Sequence, residues 1–228
     1  MTFQAPESLS EQIAQHLGQR IVTRDLKPGS RIQELKVASD LSVSRGSVRE
    51  ALLILERRHL VEIFPRRGAV VSSLTVSSVN NLYDIYINLL CMLGRKLVER
   101  WAGNAELGGI LGRVREVKAI ARAVNSTGPD AAEKVIEAGF EVMLYAYRLV
   151  ENPFLEETLE NFRPAISRTY FVALENFRGG IGQTAVFFQQ LGEAALSGDA
   201  DRLESAIQAF GEHQRQQVLS ILMEEESA

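Results

Sequence analysis

The sequence is poor in the residues that build disulfides, metal centres and most nucleophilic sites. Its 228 residues hold one cysteine and three histidines. A lone Cys91 excludes an intramolecular disulfide and a cysteine-rich zinc site. It lies in the apolar run Leu89-Leu90-Cys91-Met92-Leu93 and reads as a buried small hydrophobe rather than a redox sensor. There is no G-x-S-x-G, no Walker loop, no H-E-x-x-H and no Cys/His pair. Gly179-Gly180-Ile181-Gly182 is rich in glycine, but no strand precedes it, so it reads as a helix-to-helix joint rather than a phosphate loop. No apolar run approaches about 18 residues, so nothing is expected to span a membrane. Met1 to Glu7 has neither the basic region nor the apolar core of a signal peptide. The expectation is a cytoplasmic protein with no cofactor and no metal.

The charge is present but unevenly placed. Net charge is −4 for the whole chain. Met1 to Thr75 carries 11 Lys+Arg against 8 Asp+Glu, a balance of +3, and the remainder carries 14 against 21, a balance of −7. An acidic body with a locally basic N-terminal part suits a nucleic-acid reader on a sensor domain. The length allows one large or two small domains. The polar joint Leu74 to Ser78 divides them into residues 1–75 and 76–228, with no long flexible linker.

Val37 to Arg58 reads as two short helices with a tight turn. Val37, Ala38 and Leu41 form the apolar side of the first. Ser42-Val43-Ser44 is the turn, and Ser44 is placed to cap the second helix. There Val48, Ala51, Leu52 and Leu55 fall at i, i+3, i+4 and i+7, one buried stripe. Arg45 and Arg49 are four residues apart and project together from a neighbouring face. Arginine pairs bidentately with guanine edges, and the helix N-terminus with Ser44 and Ser47 suits phosphate. Taken alone, the same residues also describe an amphipathic hairpin with a solvated basic face.

The next segment favours the first reading. Val61-Glu62-Ile63 and Ala69-Val70-Val71 are β-prone runs flanking Phe64-Pro65-Arg66-Arg67-Gly68, a basic turn. Such a hairpin puts Arg66 and Arg67 at its tip, where a wing meets the DNA backbone or minor groove. Ahead of both, Leu9 to Leu26 reads as a first helix with Ile13, Leu17, Ile21 and Val22 inward.

Three segments resemble the N-terminal domain of GntR-family transcription regulators. They are Pro28-Gly29-Ser30-Arg31-Ile32, Val43-Ser44-Arg45-Gly46-Ser47-Val48-Arg49-Glu50-Ala51-Leu52 and Pro65-Arg66-Arg67-Gly68-Ala69. The rest of the chain resembles the helical effector domain, FCD, of that family's FadR-like branch. The resemblance implies a mainly α protein: a winged helix-turn-helix followed by an antiparallel bundle of about six helices. It implies a homodimer on an inverted-repeat operator in double-stranded DNA. The expected DNA contacts are Lys36, Ser44, Arg45, Gly46, Ser47, Arg49, Arg66, Arg67 and Gly68. Gly46 replaces the family's usual Thr, and Leu35-Lys36 replaces a commoner Ala-Glu.

The second half shows no strand pattern and no repeat. Six helices are expected, at Val79–Ala102, Ala105–Val124, Ala131–Val150, Pro153 to about Phe177, Gln183–Leu196 and Ala200 to Met223. Leu82, Ile85, Leu89, Met92, Leu93 and Leu97 are the expected inner face of the first. Ser126-Thr127-Gly128-Pro129-Asp130 separates the second and third, and Ser197-Gly198-Asp199 the last two.

Many FCD domains hold a divalent metal through one Asp and three His. Aligned to that pattern, the ligand positions fall on Glu137, Glu141, Phe188 and Phe210, and phenylalanine cannot coordinate a metal. His213 with Glu141 makes at most two ligands. Where the family usually reads L-Y-E-x-R, this chain reads Leu82-Tyr83-Asp84-Ile85-Tyr86, with Tyr in place of an effector-binding Arg. Leu90 stands where Glu is common. The expected pocket residues are therefore Tyr86, Leu90, Glu137, Glu141, Phe188, Phe210 and Gln214. The aromatics either line a cavity for an apolar or fatty-acyl effector, or fill the core of an effector-free regulator. A metal- or carboxylate-responsive member fits the residues less well. A bundle enzyme is the rival class, but its only paired acids are Glu137 and Glu141, which read more simply as an exposed acidic face.

Overall fold

Ser8 and Ser44 each start a helix by accepting a backbone N–H through the side-chain hydroxyl, from Glu11 at 3.2 Å and from Ser47 at 3.0 Å. Such caps satisfy donors that a helix leaves without partners. The computed structural model describes residues 8–101, 108–123, 129–176 and 180–227. Met1 to Glu7, Ser126 to Gly128 and Gly179, which entered the sequence expectations, lie outside the described residues. The chain divides into two units: residues up to Leu74 with Asn161–Arg168, and Thr75–Glu160 with Thr169 onward.

The first unit orders α1 (Leu9–Val22), β1 (Arg31–Ile32), α2 (Glu34–Asp40), α3 (Arg45–Arg57), β2 (Val61–Phe64) and β3 (Gly68–Val71). The strands pair antiparallel in the order β1-β3-β2, with Arg31 opposite Val70 and Phe64 opposite Gly68. Strand β1 is two residues long and was not expected from the sequence. Helix α1 ends at Val22 rather than Leu26. Arg24 takes a left-handed φ of 64°, and the Leu26 N–H returns to the Arg20 carbonyl at 2.8 Å, which closes the helix.

The expected inner residues of α1 and α3 are buried together. Ile13, Leu17 and Ile21 pack in one cluster with Val48, Ala51, Leu52 and Leu55, and the sheet adds Ile32, Val61, Ala69 and Val71. The wing turn closes through the Arg67 N–H on the Phe64 carbonyl at 3.1 Å, and Gly68 supplies a φ of +80° that side chains rarely adopt. Within this unit Arg168 is 2% exposed and donates to the Ser72 Oγ at 3.0 Å and the Ser72 carbonyl at 2.8 Å. Burial, aided by the charge of Arg24, lowers its pKa to about 10.

The second unit orders α4 (Val76–Trp101), α5 (Gly108–Ala123), α6 (Pro129–Val150), α7 (Pro153–Asn176), α8 (Gly180–Ser197) and α9 (Ala200–Ser227). Asn161–Arg168 of α7 belong to the first unit. Helix α4 packs on α9 and α6, α5 on α6 and α8, and α8 on α9. The joint before α4 is shorter than expected. Thr75 and Ser78 cap each other, the Thr75 N–H donating to Ser78 Oγ at 2.9 Å and the Ser78 N–H to Thr75 Oγ1 at 3.1 Å, so Ser78 lies inside the helix. Gly198 at φ +70° ends α8, and Asp199 caps α9 through the Arg202 N–H at 2.9 Å.

The rotation of α4 differs from the expectation. Val79, Tyr83 and Tyr86 are buried with Leu93 and Leu97, while Ile85 is 53% and Met92 46% exposed. Tyrosine can occupy a core when its hydroxyl finds a partner, and the Tyr83 hydroxyl lies 2.9 Å from Thr169 Oγ1. Burial pushes the Tyr83 pKa well up, against the opposing effects of Thr169 and Arg215. Cys91 is buried as expected, and desolvation with Glu204 nearby raises its thiol above the ordinary value. Among the described residues no helix is long and apolar enough to cross a membrane.

Helices α4 and α9 approach closely at glycines. A Cβ on Gly211 would lie 2.5 Å from Ile87 Cγ1, and one on Gly94 would lie 2.9 Å from Ile207 Cδ1. Helix propensity alone would make Gly211→Ala stabilising by about 0.5–1 kcal/mol. The overpacking reverses that sign, and we predict a net loss of about 1–3 kcal/mol in urea unfolding. A stabilised variant would show that the two helices are not in tight register.

Candidate DNA interface and effector cavity

Arg45 and Arg49 leave the first turns of α3 away from the buried stripe, with side chains 50% and 62% exposed. Both converge on one oxygen. Arg45 Nη2 is 3.1 Å and Arg49 Nε 2.9 Å from Glu34 Oε2, at the first residue of α2. Burial works to raise the Glu34 pKa, but the hydrogen bonds and charges of the two arginines outweigh it and hold the carboxyl below its ordinary value. Exposed pairs of this kind contribute no more than about 1 kcal/mol each. The arginines are thus held in place and can still exchange Glu34 for another acceptor.

A groove of about 670 Å³ opens between these residues and the wing, lined by Arg31, Gln33, Glu34, Arg45, Arg49 and Arg66 among others. Gly68 also lines it, and a Cβ there would stand 3.7 Å from Arg31 Nε. Ser44 and Ser47 join through their hydroxyls at 2.9 Å beside the N-terminus of α3. Lys36 and Arg67 are exposed but do not line the groove. A Cβ on Gly46 would meet only Ser44 Oγ, at 3.5 Å, an ordinary contact. Glycine there leaves a space that a side chain could fill. Four guanidiniums around one groove can supply bidentate donors to base edges and phosphates. Reading the sequence missed Arg31 and Glu34. Glu34 lies 11 and 15 residues from its partners, so no helical spacing connects them. Arg31 was visible only as part of a quoted motif.

A second concavity lies inside the helical unit. Its volume is about 90 Å³, and Tyr86, Leu90, Phe188, Phe210 and Gln214 all line it. Helix α6 turns Val135, Ile136, Gly139, Phe140, Val142, Met143 and Ala146 towards it. Glu137 and Glu141 were expected in this pocket and are not there. They are exposed on the opposite arc of α6, and Glu141 lies 3.5 Å from Arg113. At about 100° per residue, positions 137 and 141 fall roughly half a turn from 139. The rings of Phe187 and Phe210 stack with centroids 3.5 Å apart, and Tyr170 meets Phe210 edge-on. The metal that FCD domains often hold does not fit here, because phenylalanines stand at two of the ligand positions. Among the described residues no group of three or more His, Cys, Asp or Glu stands together.

A helix-turn-helix with a basic three-stranded wing, followed by a helical bundle, defines a winged-helix transcriptional regulator. The profile of bacterial regulatory proteins of the gntR family matches residues 9–71, and that of the FCD domain matches residues 85–213. The chain belongs to the GntR family and carries an FCD domain. It is 29% identical over 168 residues to the HTH-type transcriptional regulator YdhC of Bacillus subtilis, covering 74% of this chain and 71% of that one. It is 35% identical over 92 residues to the gluconate operon transcriptional repressor of B. subtilis, covering 40% and 37%. The fold is similar to that of E. coli McbR/YncC, with a TM-score of 0.73 at 19% identity over 97% of this chain and 100% of that one. These sequence relatives are regulators, not enzymes.

The Glu34 clamp has a measurable consequence. Glu34→Gln removes a negative charge from the groove and loosens both arginines. We predict that affinity for random-sequence DNA rises several-fold while the ratio of specific to non-specific affinity falls. The logarithmic salt dependence should steepen by up to about one phosphate equivalent. An unchanged ratio in competition binding assays would show that Glu34 does not govern the arginine pair.

Proposed function

We propose that this protein is a homodimeric, sequence-specific transcriptional regulator that binds an inverted-repeat operator and responds to a small molecule in its helical unit. The observation that carries the DNA part is the pair Arg45 and Arg49, exposed on α3 and flanked by Arg66 of the wing across one groove. In this reading Arg45 and Arg49 address base edges. Ser44 and Ser47 donate to phosphate, and Lys36, Arg66 and Arg67 contact the backbone beside Gly68. Gly46 offers no side-chain contact and so relaxes one base preference. Residues up to about 75 are the reader, and residues from 76 onward carry effector binding and dimerisation. In this reading the protein works in the cytoplasm, beside its DNA partner.

Two reader helices related by a two-fold axis would recognise the two halves of the operator. Support for the dimer comes from α4. Leu82, Ile85, Leu89 and Met92 lie at a heptad-like spacing, and Ile85 and Met92 are 53% and 46% exposed. An apolar stripe of this kind suits a second helix.

The apolar cavity supports the effector-responsive reading over an effector-free core, because close-packed interiors hold few voids larger than a water molecule. An effector could act only through a difference in affinity for two arrangements of the readers. A long acyl chain exceeds about 90 Å³ unless side chains move.

Two variants test this reading. Arg45→Ala with Arg49→Ala should lower operator affinity at least a hundredfold in mobility-shift assays with helical content unchanged. Undiminished binding would remove the assignment of α3 as the reader. Ile85→Glu with Met92→Glu should give monomers by light scattering, with operator binding weakened tenfold or more. A dimer that persists would place the interface elsewhere.

A further inference from the structure

The cavity of the helical unit has an unusual chemistry for a metabolite site. Its described lining contains no Lys, Arg, His, Asp or Glu. Only Tyr86, Tyr170 and Gln214 bring side-chain oxygen or nitrogen to it. Gln214 is 1% and Tyr86 2% exposed, so this polar end is shut off from bulk water. The Tyr86 and Tyr170 hydroxyls stand near enough to influence each other's ionisation. Burial, reinforced by the neighbouring tyrosines, pushes both far above the ordinary phenol value, so both stay neutral.

Two cations that adjoin lining residues in the chain are already engaged. Arg215 follows Gln214 in the chain, but its Nη2 lies 2.8 Å from Asp84 Oδ1 and its Nε 3.3 Å from Glu212 Oε2. Arg113 precedes the lining residue Val114, but it stands over the Tyr145 ring at 5.1 Å and 3.5 Å from Glu141. Neither lines the cavity. A carboxylate placed there would lose its hydration and gain no counter-charge, so its entry is strongly disfavoured. A neutral hydroxyl or carbonyl would need only one or two hydrogen bonds, which a tyrosine hydroxyl or the Gln214 amide can provide.

Size limits the ligand further. An apolar cavity of about 150 Å³ takes benzene, and this one is about 90 Å³. The walls offer Phe187, Phe188 and Phe210, and the last two meet the cavity from different helices.

We infer that the helical unit binds a compact, uncharged, mainly apolar molecule carrying one hydroxyl or carbonyl group, which addresses Tyr86, Tyr170 and Gln214 while its hydrocarbon part meets the phenylalanines. This inference rests on the effector-responsive reading above and narrows it to a neutral ligand of at most about one six-membered ring, which enters only as side chains around the cavity of about 90 Å³ give way.

The test is a ligand-observed NMR titration of the full chain with five probes: phenol, the smaller isobutanol, toluene, benzoate and benzylammonium. Phenol and toluene have nearly the same shape and differ by a hydroxyl against a methyl. We expect phenol to bind about tenfold more tightly than toluene, and benzoate and benzylammonium at least tenfold more weakly than phenol. Tyr86→Phe and Gln214→Leu should each reduce the phenol advantage, and the two combined with Tyr170→Phe should abolish it while toluene still binds. Retained toluene binding also shows that the variants are folded. Benzoate or benzylammonium binding as tightly as phenol would overturn the neutral-ligand inference and leave effector response standing. No binding by any of the five would overturn the effector-responsive reading together with the inference.

Discussion

The burial of Val48, Ala51, Leu52 and Leu55 along one side of α3 fixes the direction of everything else on that helix. With that stripe against α1 and the sheet, the helix has no rotational freedom. Arg45 and Arg49 must then point outward, and Ser44 must stand at the free N-terminus. Val48, Leu52 and Leu55 stabilise the unit by about 1.5–3 kcal/mol each, and Ala51 by less. The arginine–carboxylate contacts contribute far less. Packing therefore sets the geometry of the DNA face, and Glu34 only adjusts it.

That division of labour recurs in the helical unit with the opposite chemistry. The cavity walls come from α4, α5, α6, α7, α8 and α9, and its polar groups are neutral and few. Charges sit on the outer arcs, as Glu137, Glu141 and Arg113 do. A site built this way discriminates by excluding charge. Exclusion is strong where water is absent, because an unpaired buried charge costs more than a missing neutral hydrogen bond. Phe188 and Phe210 line the cavity where the family resemblance places metal ligands, and on the proposed reading they favour an apolar molecule there.

Much of the DNA-reading unit was legible in the sequence, because its signals are local. The i, i+3, i+4, i+7 stripe, the Ser44 cap and the Pro-Arg-Arg-Gly turn each lie within one element. Strand β1 was not legible: two residues carry no periodicity, and their pairing to β3 spans about forty residues. The clamp from Glu34 was hidden for the same reason. Helix α4 was placed correctly but rotated wrongly. Ile85 and Met92 rank as more apolar than Tyr83 and Tyr86, yet the tyrosines are inside, where the Tyr83 hydroxyl has a partner in Thr169. Hydropathy cannot register a partner 86 residues away. Phe188, Phe210, Tyr86, Leu90 and Gln214 meet at one cavity, whereas Glu137 and Glu141 fall on the far arc of α6. Their assignment was carried over by alignment, which does not fix a helix face.

The central claim is that two copies of α3 and its wing read DNA in concert. The most direct measurement is selection of bound sequences from a random double-stranded DNA pool by the purified full chain. The account predicts enrichment of a short inverted repeat, with guanines at the positions facing Arg45 and Arg49 in each half-site. A pool that shows no enrichment, or that converges on a single site without two-fold symmetry, would contradict it.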